Sequence, residues 1–128
     1  MTSAQIAAVL TWVYAAGFGI PVAYVAPYLI RNGTLPTFLG MFPMYGGPWS
    51  SRVGTRTFVT LLIAFALVAL AAAFAGWLVW QGSRTGAVLS LSLLPIEAMF
   101  WIGFALPLPW AFGLGRVILL ALAWKSLD

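Results

Sequence analysis

Residues 61 to 80 read LLIAFALVALAAAFAGWLVW, twenty positions without a charge. A helix of that length is about 30 Å long, the thickness of a bilayer's hydrocarbon core. Inside hydrocarbon every backbone N–H and C=O has to be bonded within the protein, and a helix does this locally. The run therefore predicts a membrane-spanning helix, over about 58–80. Three further stretches have the same character: about 4–30, broken by Pro21 and Pro27, then about 87–106 and about 110–127. The last two read as one long run until Pro107 and Pro109. Each proline lacks an N–H and disfavours helix in the residue before it, so PLP makes a tight hairpin. The expected fold is all-α, an integral membrane four-helix bundle forming a single transmembrane domain over residues 1–128.

Composition agrees and removes whole classes of chemistry. The chain is 63% hydrophobic and 6% charged, with no cysteine and no histidine. Disulfides, thiolate nucleophiles, Cys/His metal sites and histidine general bases are thereby absent, and neither metal nor cofactor is expected. A net charge of +4 could suit nucleic acid, but the six basic residues stand singly beside apolar segments, so no nucleic-acid partner is expected. No Lys or Arg precedes Arg31, unlike the basic start of a signal peptide, so the first apolar segment is expected to stay as an anchor. Arg31, Arg52 and Arg56 fall in the first connection, against Arg84 and Lys125 at the other end. That three-to-two bias favours a cytoplasmic first connection with both termini outside, the opposite insertion or a mixture of the two being the alternatives. The expected location is a membrane crossed several times, a bacterial cytoplasmic membrane.

The connections differ. Residues 81–86, QGSRTG, make a short polar turn, whereas 31–57 carries Phe38, Leu39, Met41, Phe42, Met44, Tyr45 and Trp49 among prolines and glycines. Such a segment is expected to lie in the membrane interface or to re-enter over the bundle. Small residues at 69/73 and 72/76 on the second span let a neighbouring backbone come close, within the bundle or in a homo-oligomer.

Two charges fall within the spans. Glu97 lies ten residues before Pro107 and Arg116 nine after it, so a constant rise sets them at nearly equal depth on antiparallel helices. An unpaired charge near the midplane costs roughly 2.5–3.5 kcal/mol on insertion scales, which pairing relieves. The expectation is a buried ion pair that fixes helix register, or else a ligand site. Hydroxyls for such a site come from Tyr14, Tyr24, Tyr28, Ser90 and Ser92. The candidate ligand-binding set is Glu97, Arg116, Tyr14, Tyr24 and Trp101, with Glu97 the candidate catalytic residue.

Function is expected to be binding or assembly in the bilayer, toward a hydrophobic small molecule or a membrane-protein partner. A metal-independent enzyme acting on a lipid or isoprenoid, with Glu97 as acid or base, is the alternative. Pro95, Glu97 and Phe100 within PIEAMFW resemble the short PxExxF motif of membrane-bound lycopene cyclases. The resemblance implies acid-initiated cyclisation of a polyene by Glu97. It spans three positions, and Ala98 stands where that motif often has a second acid. A small ion or solute transporter is the third reading, for which a carboxylate committed to Arg116 is poorly suited.

Overall fold

The computed structural model describes residues 2–33, 35–38, 42–43, 45–104, 106 and 108–128. Leu39, Met41, Met44 and Pro107 lie outside the described residues. The protein is an all-α four-helix bundle. Its first span, Ser3–Asn32, consists of α1 (Ser3–Gly19) and α2 (Val22–Asn32), separated by a break at Ile20 and Pro21. A two-residue antiparallel bridge follows, Thr37 opposite Pro43 and Phe38 opposite Phe42. Next come the short α3 (Pro48–Arg52) and the remaining spans α4 (Thr55–Trp80), α5 (Arg84–Gly103) and α6 (Leu108–Ala123). Each of the four spans, the last continuing from α6 through a 3-10 turn to give Leu108–Ser126, is long and apolar enough to cross a membrane.

Local chemistry sets the helix ends. Thr2 and Gln5 form a reciprocal capping box that satisfies two otherwise unbonded N–H groups of α1. α5 begins at residue 84 rather than 87 because the Ser83 hydroxyl accepts from Gly86 N–H. It also stops earlier, at Gly103, and Leu106 N–H turns back onto the Trp101 carbonyl. α6 begins at 108 rather than 110, because a first-turn proline such as Pro109 forfeits no intrahelical bond.

Inward stripes repeat with spacing four, three, four, three, the seam of helices packed at a small angle. On α4 the stripe is Phe58, Leu62, Phe65, Ala69, Ala72, Gly76 and Val79, bulky at one end and small at the other. The small half lets α1 approach. A Cβ on Gly19 would sit 3.2 Å from that of Ala69, and the Trp12 indole N–H bonds the Ala73 carbonyl at 3.0 Å. The spacing 69/73 and 72/76 thus serves an intramolecular contact. α1 packs closely against α4 and α6, while α5 lies on the other side of α4. The hairpin partners α5 and α6 make fewer close backbone approaches than α1 makes with either neighbour.

From the connection between α2 and α4, Tyr45 and Trp49 pack against the aromatic residues of the bundle. Tyr45 is buried, and its ring meets Phe104 at 5.4 Å and Phe65 at 6.2 Å, both edge-on. Trp49 adds edge contacts to Phe100 and Phe104. Gly103 makes room for it, since any Cβ there would overlap the Trp49 ring. The helix break explains the anchor. Pro21 and the turn leave the Phe18 carbonyl without a helical donor, and the Tyr45 hydroxyl donates to it instead. Tyr45 adopts φ 60, a left-handed conformation unfavourable for a side chain of its size, which burial and this bond hold in place. Burial pushes the hydroxyl's pKa up, so it keeps its proton and goes on donating into alkaline solution. Tyr45→Phe, which keeps the ring and deletes the donor, should lower stability by about 1 kcal/mol by leaving a part-buried carbonyl without its donor. Equilibrium unfolding in detergent micelles measures this, and a change below about 0.5 kcal/mol would show that the bond does not anchor the segment.

Candidate functional site

Three inward stripes converge on one polar cluster. Arg116 belongs to the α6 stripe Pro109, Gly113, Arg116, Leu120 and Ala123, so its helix aims it at the interior. Tyr14 belongs to the α1 stripe Ala4, Ala7, Thr11 and Tyr14. From α5 come Glu97 and, one turn on along the same face, Trp101. Glu97 is fully buried, and Arg116, Tyr14 and Trp101 are 2%, 1% and 3% exposed.

Arg116 Nη2 donates to Glu97 Oε2 at 2.6 Å and Nη1 to Oε1 at 3.4 Å, an end-on fork. The two long side chains bridge the wider seam between α5 and α6, where backbone packing is least close. Trp101 completes the bridge. Its indole N–H donates to the Tyr14 hydroxyl at 3.0 Å, and the rings meet edge to face at 5.8 Å. The guanidinium carbon sits 5.9 Å from the Tyr14 ring centre, within reach of a cation–π contact. Gly113 allows this packing, because an added Cβ would come within 2.9 Å of the Trp101 ring. One donor stays uncommitted. End-on pairing turns Arg116 Nε away from the carboxylate, and it has no hydrogen-bond partner among the described residues.

Of the candidate set, Glu97, Arg116, Tyr14 and Trp101 come together and Tyr24 does not. Val22, Val25, Ala26 and Leu29 occupy the inward stripe of α2, which turns Tyr24 outward. It is 56% exposed, with its ring 5.7 Å from that of Tyr28. Ser90 is buried, whereas Ser92 is exposed. No group of three metal-ligating side chains occurs among the described residues.

A second feature lies on the outside of the bundle. Trp12, Ala15, Ala16 and Gly19 of α1 face Ala66, Ala69 and Ala73 of α4 across an apolar groove of about 470 Å³. Ile20, Leu67 and Leu70, all exposed, complete its lining, and it is open to the outside of the bundle. The sequence holds a signal for it that the reading of α4 alone misses. The α1 small residues 15, 16 and 19 match those of α4 at 66, 69 and 73, and two facing small-residue stripes leave a trough beside their contact.

No protein-family model matches the chain, and no curated protein or solved structure shows significant similarity to it. The lycopene-cyclase resemblance therefore rests on Pro95, Glu97 and Phe100 alone. Of these, Pro95 is exposed on α5 and Phe100 packs in the aromatic core.

Proposed function

We propose that this protein is a binding or assembly module of the bilayer, and that the α1–α4 groove is where its hydrophobic partner lies. The groove carries the proposal. Its volume falls within the range of small-molecule sites, and its Ala and Gly walls suit an acyl or isoprenoid-like chain or one helix of a membrane-protein partner. The polar cluster supports the same reading by its closure. A general acid must reach its substrate, yet Glu97 is fully buried with both oxygens already accepting from Arg116. The pair is better suited to holding α5 against α6 than to turnover or to carrying an ion.

Native mass spectrometry of the protein released from nanodiscs tests the proposal. The wild type should retain one stoichiometric hydrophobic ligand or one protein partner. Ala16→Leu fills the groove from an exposed position and should lower that occupancy by about tenfold, the effect of roughly 1.4 kcal/mol. Ala111→Leu, exposed on α6 outside the groove, should leave it unchanged. A wild type that emerges bare would overturn the assignment.

A further inference from the structure

The two ends of the bundle treat their cations differently. α2 finishes and α4 starts at one end, and three arginines collect there: Arg31 in the last turn of α2, Arg52 in the last turn of α3, Arg56 in the first turn of α4. All three are exposed. Among the described residues, none of their guanidinium groups has a carboxylate or hydrogen-bond partner. Nor can the protein supply a carboxylate. The chain has two acidic residues: Glu97 is committed to Arg116 inside the bundle, and Asp128 lies at the far end, its N–H on the Gly82 carbonyl.

At that far end the side chains Arg84, Lys125 and Asp128 sum to +1, against +3 for the arginine trio. Arg84 is also satisfied internally. It donates to the Trp124 carbonyl at 3.0 Å and lies 4.9 Å above the Trp124 ring. The asymmetry is therefore one of availability as well as of count: one end keeps its arginine for the protein, the other presents three to its surroundings.

The spans fix what those surroundings are. Arg31 sits at the close of the span Ser3–Asn32 and Arg56 at the opening of the span Thr55–Trp80, which places both at the level of lipid headgroups. Tyr28 and Trp49 stand at the same end, the usual depth of interfacial aromatics. We infer that Arg31, Arg52 and Arg56 form a docking surface for the phosphates of anionic phospholipids, and that this end of the bundle faces the more anionic leaflet. The chemistry is complementary at each point. Guanidinium pairs phosphate through forked hydrogen bonds, and a bilayer surface offers phosphates at the depth where these side chains emerge. The inference depends on the bilayer placement of the four helices and is independent of what fills the α1–α4 groove.

The test uses the intact chain in nanodiscs of phosphatidylcholine and phosphatidylglycerol in equal amounts, with co-purifying lipid counted by mass spectrometry after gentle extraction. Phosphatidylglycerol should be enriched around the wild type. Each arginine-to-glutamine change should reduce the enrichment by about fivefold at most, and R31Q/R52Q/R56Q by up to about a hundredfold. The double variant R84Q/K125Q should keep the enrichment, and R31K/R52K/R56K, which preserves the charge but loses the forked pairing, should keep a smaller part of it. Raising salt to about 1 M should remove most of it, because screening then acts over about 3 Å. Equal lipid composition around the wild type and the glutamine triple variant would overturn the inference. So would displacement of the lipid by soluble glycerol phosphate, which would identify a pocket for a free phosphate instead of a docking surface.

Discussion

Arg116→Leu lowers stability by about 3–5 kcal/mol, and adding Glu97→Met to it restores most of the loss. The first change strands a buried carboxylate with no cation beside it, and an uncompensated buried charge is among the most costly defects known. The second removes that charge and fills the seam between α5 and α6 with apolar volume. Replacing both members of a buried pair with hydrophobic side chains is often neutral or stabilising, so the double variant should lie within about 1 kcal/mol of wild type. Equilibrium unfolding in micelles across the full set of variants gives the coupling energy. Single effects that simply add would mean that the two groups do not interact, because groups in direct contact couple by about 0.5–3 kcal/mol.

Gly86→Ala is the second large effect, expected to cost about 1–3 kcal/mol through overpacking. Gly86 is buried where α5 leaves the turn after α4, and an added Cβ would lie 2.5 Å from the Leu78 Cβ and 2.9 Å from the Val79 backbone nitrogen. Backbone cannot move aside as a side chain can, so the last turn of α4 and the first turn of α5 must separate. Gly17→Ala is the matched control. Nothing lies within 4 Å of a Cβ there, and replacing a glycine within a helix is neutral or stabilising by up to about 1 kcal/mol. Equal melting temperatures for the two alanine variants would show that the α4–α5 contact is looser than described.

These sites also mark how far the sequence could be read. The four spans are legible because each is an apolar run with its own punctuation, and Ser83 and Pro109 move the starts of α5 and α6 by only three and two residues. Depth is legible too. Helical rise is constant, so counting from Pro107 sets Glu97 and Arg116 level without knowledge of packing. Rotation is harder. The four-three stripes assign Tyr14 and Arg116 inward once the whole helix is considered, whereas Tyr24 looks equivalent to Tyr14 until the break at Ile20 and Pro21 resets the phase. Partnership across the chain is not written locally at all. The Trp101–Tyr14 bond joins positions 87 apart, and Tyr45 reaches across 27 positions to the Phe18 carbonyl, left open where the helix breaks at Ile20 and Pro21. The α1–α4 groove is a relation between two stripes, so neither stripe alone discloses it.

The most direct measurement of the functional claim is photo-crosslinking in nanodiscs from a diazirine side chain at position 16, which lines the groove, or at position 111, which faces lipid elsewhere. Mass spectrometry then reads what each position touches. A groove that holds a specific hydrophobic partner predicts one discrete adduct from position 16, against the mixed masses of bulk lipid from position 111. The same bulk-lipid spectrum from both positions would contradict the account.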